Sequence, residues 1–289
     1  MIQIILSLLI ILNTVTLFSQ KNSASFDKEY STITKYSNSN YYILRIFSRA
    51  EGAVKAKYFA VDPHNQYKKW KNEKKILFLT EATFSNSLNP ENTKPVGLTV
   101  DNGRLVNRNI DHIMDGMVII YNEGRQQGGV AVIDLDTKPV RVERTYGSGI
   151  YDSYYPRSSS SDRENFIQWG KHQGVTLFQT QLLYSKDRDE NFKNIYYGQK
   201  RERRFWALCR KDRKVYHVVI DVPTYEYLNV AAKKTKELLE EEGLEVFYIL
   251  NFETGSGNML YAHNGDFLKG IVYPERLANT RNLLVYYRD

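Results

Sequence analysis

The chain has 289 residues, of which 42% are apolar and 25% charged, and 40 basic against 33 acidic residues give a formal charge of +7. The apolar fraction excludes a disordered chain, and 17 glycines and 7 prolines are too few for a fibrous protein. Because Cys209 is the single cysteine, an intramolecular disulfide and a cysteine-rich zinc site are excluded as well.

Residues 1–20 predict a secretory signal peptide. They are mostly apolar and carry no charged side chain, and a polar stretch begins at Lys21. Cleavage near residue 20 would make the mature chain periplasmic or secreted, with no membrane partner. A retained membrane anchor is the alternative, although polar residues such as Gln3 and Asn13 interrupt the apolar run. Residues 21–40 are expected to form a short helical or irregular N-terminal extension.

Strands dominate the rest of the chain. Short runs rich in β-branched, aromatic and other apolar residues, bounded by turn signals, predict strands. In chain order they lie at residues 41–47, 56–61, 76–79, 96–100, 104–106, 117–121, 130–135, 175–183, 205–209, 215–221, 246–251, 259–261 and 283–287. Asn102-Gly103 predicts a tight turn between the fourth and fifth of these strands.

Helices are few. Ser161 and Glu164 have the spacing of a capping box, which predicts a short helix that reaches Trp169 and ends at Gly170. Residues 230–242 predict a longer amphipathic helix. The serine-rich residues 147–163 are expected to be a flexible loop or an internal boundary. We therefore expect an α+β fold over residues 41–289: a β-rich, twisted sheet system, mixed or antiparallel, with a few flanking helices.

The familiar catalytic motifs are absent from the sequence. There is no G-x-S-x-G elbow, no H-E-x-x-H, no Walker loop and no G-x-G-x-x-G. The five histidines lack ligand-like spacing, and His217 alternates within a predicted strand, which favours a packed or surface position. No metal and no cofactor are predicted. Basic residues cluster at 68–75 and 200–204 with acids interleaved, which favours a solvated surface over nucleic-acid binding.

One segment carries a finer signal. A predicted buried strand ends at Asn251. It is followed by Glu253, Thr254, Gly255 and Ser256. A glycine-rich turn at the end of a strand can direct backbone N–H groups towards a ligand. An ordinary tight turn is the alternative interpretation.

Four segments, in order along the chain, share features with one known family. Residues 95–98 (PVGL) and 102–104 (NGR) match a Pro-x-Gly-Leu strand followed by an Asn-Gly turn. Residues 204–209 parallel a strand that begins with arginine, and residues 250–261 parallel a closing Leu-Asp-Gly-Gly-Gly-Ser-like loop. Together they resemble the phosphodiester glycosidase family, whose relatives include the lysosomal uncovering enzyme and many exported bacterial proteins. The resemblance implies a phosphodiester-glycosidase-like fold.

The same resemblance implies a site. Arg204 would bind the phosphate of a sugar–phosphate diester through its planar fork. Glu253 and Glu81 would be the catalytic carboxyls, and Asp221 would orient Arg204 or act as a base. The substrate would also contact the 251–256 segment, through Asn251, Thr254, Gly255 and Ser256.

The chain also departs from the family pattern. Glu81 stands where the family has asparagine, Glu253 where it has aspartate, and Thr254 and Leu208 where it has glycine. A side chain in place of glycine restricts positive φ and fills space beside a ligand. Two functions therefore stay open: an exported hydrolase acting on a sugar–phosphate diester in the cell envelope, or a catalytically degenerate protein that binds a glycan or another protein. A purely structural role is a third alternative.

Overall fold

The computed structural model of the protein describes residues 21–26, 31–36, 41–47, 54–87, 93–123, 127–145, 147–189, 191–192, 198–254, 260–262 and 274–289. Within these residues there are seventeen strands and three α-helices. The strands are β1 (Lys21–Phe26), β2 (Ser31–Tyr36), β3 (Tyr41–Phe47), β4 (Lys55–Phe59), β5 (Lys75–Thr80), β6 (Thr99–Asp101), β7 (Arg104–Asn107), β8 (Gly116–Ile120), β9 (Val130–Asp134), β10 (Val140–Glu143), β11 (Tyr151–Tyr154), β12 (Thr176–Ser185), β13 (Arg201–Lys211), β14 (Lys214–Glu226), β15 (Glu245–Phe252), β16 (Leu260–Ala262) and β17 (Leu283–Arg288). The helices are α1 (Pro63–Trp70), α2 (Ser160–His172) and α3 (Leu228–Glu241), and a 3₁₀ helix spans Pro274–Asn279.

Eleven of the described strands form one large sheet. Its main path runs β1-β2-β3-β14-β13-β15-β12-β6-β7, while β8 pairs with β12 and β9 pairs with β8. The neighbouring strands are antiparallel throughout the described pairings. The long central strands β13 and β14 are buried along their middle residues, as their apolar composition requires. The expected α+β class with antiparallel sheets is confirmed.

A four-stranded sheet, β16-β5-β17-β4, packs face to face on the large one. The core between the sheets includes Tyr58, Phe78 and Tyr286 from the small sheet and Trp206 and Leu250 from the large sheet. The other face of the small sheet is covered by α1, and the other face of the large sheet by α2 and α3. The two sheets thus lie between helices, and the ends of their strands meet at the edge of a shared core.

Several expectations about local structure are wrong. Within the expected helical or irregular extension at 21–40, the described residues 21–26 and 31–36 are instead the antiparallel strands β1 and β2, which extend the large sheet beside β3. The expected loop at 147–163 contains β11, which pairs with β10, and the start of α2. The N-cap of α2 is Ser159, and Gly170 lies inside the helix rather than at its end. A Cβ at Gly170 would be 3.0 Å from the Leu177 side chain, so glycine permits close helix–sheet packing.

Most other predicted strands are present with small shifts at their ends. The clearest shift is at 96–100, where the strand begins only at Thr99 because Gly97 turns the chain with φ +81°. Helix α1 was not predicted. Residues 1–20, the expected signal peptide, lie outside the described residues. Within the described part, no helix is both long and apolar enough to cross a membrane.

Candidate functional site

The acidic and basic residues singled out in the sequence lie where the ends of the two sheets meet. Nη1 of Arg204, in β13, donates to the hydroxyl of Thr80, the last residue of β5, over 3.3 Å. The backbone N–H of Glu253, just after β15, donates to the carbonyl of Ala82 over 3.0 Å. These contacts bring Glu81 and Glu253, which lie 172 positions apart in the sequence, to one place.

Arg204 and Asp221 form a buried ion pair. They are directly opposite each other on β13 and β14, and Nε and Nη2 of Arg204 lie 3.0 and 2.9 Å from the same Asp221 oxygen. The Arg204 side chain is fully buried, and a charge removed from water needs such a partner. Nη1 also faces the carbonyl of Glu253 at 3.5 Å. All three guanidinium nitrogens of Arg204 therefore face protein acceptors.

A second buried arginine lies between the two glutamates. Nε of Arg281 is 3.8 Å from a Glu81 carboxylate oxygen, and its Nη2 is 3.9 Å from a Glu253 carboxylate oxygen. The backbone N–H of Arg281 donates to Glu81 over 3.0 Å, and Nη1 faces the Ser87 carbonyl at 3.5 Å. Glu81 and Glu253 thus share one cation, which sequence analysis did not single out.

Glu81 is fully buried, and its environment favours the protonated form. Desolvation raises the pKa of the Glu81 carboxyl above its ordinary value, and the nearby charge of Glu253 raises it further. The backbone N–H and the charge of Arg281 oppose this rise. The Glu253 side chain keeps 12% of its surface exposed, so the cluster reaches solvent on that side. One carboxyl is thus enclosed, and the other keeps a small exposed surface.

The other predicted binding residues have different surroundings. The Asn251 amide donates to Gln181 on β12 over 3.0 Å, and the Thr254 hydroxyl donates to the carbonyl of Glu202 over 3.0 Å. These hydrogen bonds hold the end of β15 to its neighbouring strands. The predicted contacts at Gly255 and Ser256 lie outside the described residues.

Asn282 fixes the segment that carries Glu81. Its side-chain oxygen accepts hydrogen bonds from the backbone N–H groups of Ala82 and Thr83 at 3.0 and 3.1 Å. Its amide donates to the Thr83 carbonyl at 2.7 Å and to the Ser85 hydroxyl at 3.2 Å. Sequence analysis missed this residue and its neighbour Arg281. The available signal was a pair of polar residues directly before the apolar strand β17.

The structure offers no metal centre within its described residues, where no group of three or more His, Cys, Asp or Glu side chains could hold an ion. His217 lies in the core between the sheets, with Nδ1 2.7 Å from the Tyr286 hydroxyl. Burial lowers the pKa of His217 to about 3, which keeps the ring neutral near pH 7. Of the packed and surface positions that the sequence left open, His217 therefore has the packed one.

No protein-family model and no curated protein matches the chain. Among solved structures, it is similar to the catalytic domain of zebrafish N-acetylglucosamine-1-phosphodiester alpha-N-acetylglucosaminidase, auto-inhibited by its pro-peptide. The TM-score is 0.46 and the identity 12%, over 93% of this chain and 82% of that chain. A hypothetical protein from Synechocystis has a TM-score of 0.48 and 12% identity, over 93% and 62% of the two chains. These are distant structural likenesses, which support no specific family and no activity.

Proposed function

We propose that this protein is an exported member of the phosphodiester glycosidase family that hydrolyses a sugar–phosphate diester in the cell envelope. The observation that carries the proposal is the convergence of two buried arginines and three carboxyls from β5, β13, β14, β15 and β17 or the residues next to them. Sequence analysis singles out four of these five residues: Glu81, Arg204 and Asp221 through the family resemblance, and Glu253 also through its place after a predicted buried strand.

The roles follow from the environment of each carboxyl. Glu81, buried and with a raised pKa, is the general acid that protonates the departing phosphate oxygen as the bond to the sugar breaks. Glu253, which reaches solvent, is the base that takes a proton from the attacking water. The hydroxyl of that water stays on the sugar, and the other product is a phosphate monoester. Arg204 and Asp221 hold the strands that carry this pair.

Replacement of the Glu253 carboxylate tests this proposal. Purified Glu253→Gln protein, assayed for sugar release from an N-acetylglucosamine phosphodiester, is expected to lose activity by about 100-fold or more, because an amide cannot accept the proton. The matched control is Glu237→Gln, an exposed residue on α3, which should retain the wild-type rate. Wild-type activity in Glu253→Gln would remove Glu253 from the mechanism.

A binding protein without catalysis is the second candidate. This candidate is favoured because protein acceptors already bind the guanidinium of Arg204. It is also favoured because Leu208 and Thr254 carry side chains at positions where the family has glycine. Calorimetry with the same phosphodiester discriminates between the two functions. Binding without sugar release would select this candidate, whereas turnover would exclude it.

A further inference from the structure

We infer that Arg281 is the residue that binds the anionic group of the ligand, whereas Arg204 positions the strands around it. The inference rests on the proposed function, since it names which group of that site holds a phosphate. It reverses the role that the family resemblance implies for Arg204. The two buried guanidinium groups lie in the same cluster and differ in their hydrogen bonds.

The donor edge of the Arg204 guanidinium already binds an acceptor within the protein. Its Nε and Nη2 both lie within hydrogen-bonding distance of one Asp221 oxygen, and Nη1 faces Thr80 and the Glu253 carbonyl. A phosphate could bind the same edge only by displacing Asp221, which would leave a buried carboxylate without its cation. Breaking a buried ion pair in this way is strongly unfavourable. Arg204 therefore acts as a tie between β13, β14 and the end of β5.

The same donor edge of Arg281 has no such acceptor among the described residues. Its side chain is only 3% exposed, yet Nε and Nη2 have no hydrogen-bond acceptor in the described part of the chain. The nearest carboxylate oxygens, from Glu81 and Glu253, are 3.8 and 3.9 Å away, beyond hydrogen-bond length. Buried polar groups are normally satisfied, so these two donors point to an acceptor other than the residues that the structure describes.

The two unsatisfied donors also specify the chemistry of that acceptor. Nε and Nη2 form one edge of the guanidinium, and this edge matches two oxygens of a phosphate or another planar pair of acceptors. Glu81 has one oxygen without a partner in the described residues and a raised pKa, so it can present a proton to the same anion. Glu253, with its 12% exposure, lies on the side from which a ligand arrives. In this arrangement the phosphate of a sugar phosphate would bind Arg281 and its sugar would lie towards Glu253.

Direct binding of phosphate tests the inference without any need for turnover. The dissociation constants of inorganic phosphate and N-acetylglucosamine 1-phosphate are measured by calorimetry for the purified wild-type protein, Arg281→Gln and Arg281→Lys. Both variants are expected to bind about tenfold more weakly or worse, since lysine keeps the charge but not the two-donor edge. The control Arg213→Gln removes the same charge at an exposed turn and should bind as the wild type does.

Each outcome decides the question. Wild-type protein that binds neither probe, or Arg281 variants that bind as tightly as wild type, would overturn the inference. Should Arg281→Gln fail to fold, Arg281→Lys decides, because it keeps a cation beside Glu81. Phosphate binding that depends on Arg281 in a protein without hydrolytic activity would support the inference and refute the proposed reaction. Hydrolysis with an unchanged KM in Arg281→Lys would support the proposed reaction and overturn the inference.

Discussion

At Gly97 the structure requires a residue without a side chain. The backbone has φ +81°, and an added Cβ would lie 2.7 Å from Oε1 of Gln179. That amide is fully buried and accepts hydrogen bonds from the N–H groups of Leu98 and Asp111, while it donates to the Met114 carbonyl. The Gln179 side chain thus supplies hydrogen bonds to irregular backbone that has no strand partner in the described structure. Glycine at position 97 lets the backbone approach this side chain closely.

Gly97→Ala is expected to lower the free energy of unfolding by about 2 kcal/mol or more, because backbone strain and displacement of Gln179 add together. Gly147→Ala is the matched control, since Gly147 has φ +77° but no atom of the described, non-adjacent residues within 4 Å of an added Cβ. It should lose only about 1 kcal/mol, from the backbone alone. Urea denaturation of both variants measures the difference, and equal losses would contradict the role given to Gln179.

At the scale of elements, Asn282 connects the start of β17 to the residues that follow β5. These two strands are neighbours in the small sheet, with Leu284 opposite Thr80. Beyond that pairing the backbone of Ala82 and Thr83 leaves the ladder, and the Asn282 side chain satisfies it instead. One amide therefore sets the path of the chain that carries Glu81.

Asn282→Ala should cost about 3 kcal/mol of stability, because the buried N–H groups of Ala82 and Thr83 lose their acceptor. Hydrogen exchange at these two amides should accelerate beyond the effect of global destabilisation. Asn279→Ala, at an exposed position of the 3₁₀ helix, serves as the control and should stay within about 0.5 kcal/mol of wild type. Unchanged exchange at residues 82 and 83 would show that other contacts hold the segment.

At the scale of the whole molecule, a series of side-chain hydrogen bonds crosses the apolar core between the two sheets. Trp206 Nε1 on β13 donates to the hydroxyl of Tyr286 on β17 over 2.9 Å, and that hydroxyl lies 2.7 Å from His217 Nδ1 on β14. The Tyr286 hydroxyl thus contacts side chains of two neighbouring strands of the large sheet and joins the two sheets. Burial keeps the His217 ring neutral in this core, since it lowers the pKa of the ring to about 3.

Stability should therefore fall in acid. Below about pH 6.5 the unfolded chain protonates this histidine, whereas the folded chain resists protonation until its pKa of about 3. Because the unfolded state then binds more protons, His217 contributes a loss of up to about 1.4 kcal/mol per pH unit as the pH falls from 6.5 to 3. His217→Gln should have a shallower slope in denaturation curves over this range. His172→Gln, an exposed control, should keep the wild-type slope, and identical slopes in all three proteins would refute the assignment.

Local features of the fold could be predicted where a few neighbouring residues decide the outcome. The Asn102-Gly103 turn has φ of +51° and +74°, as the residue types require. Helix α3 could be predicted because apolar residues repeat at helical spacing along one face. The structure confirms this face, since Ala231, Thr235 and Leu239 are buried. Helix α1 was missed because it buries only Pro63 and Tyr67, too few to form a stripe.

The candidate site was predicted only in part. Glu81, Arg204, Asp221 and Glu253 were identified through resemblance to a family, and the structure brings them to one cluster. The local signal at Arg281 and Asn282 was limited to two polar residues before the apolar strand β17. It could not indicate their partners, because residues 81–85 lie about 200 positions away. No periodicity or motif can report which distant side chain an arginine will meet.

The sequence alone determined the α+β class, most strands and the tight turns, because backbone preference and apolar spacing depend on residues close together in the chain. The packing of the small sheet on the large one decided the rest. It buried Arg204 against Asp221, placed Arg281 between two glutamates and left two donors of Arg281 without acceptors in the described chain. Such electrostatic interactions depend on distances of a few ångströms, which only the assembled tertiary structure sets.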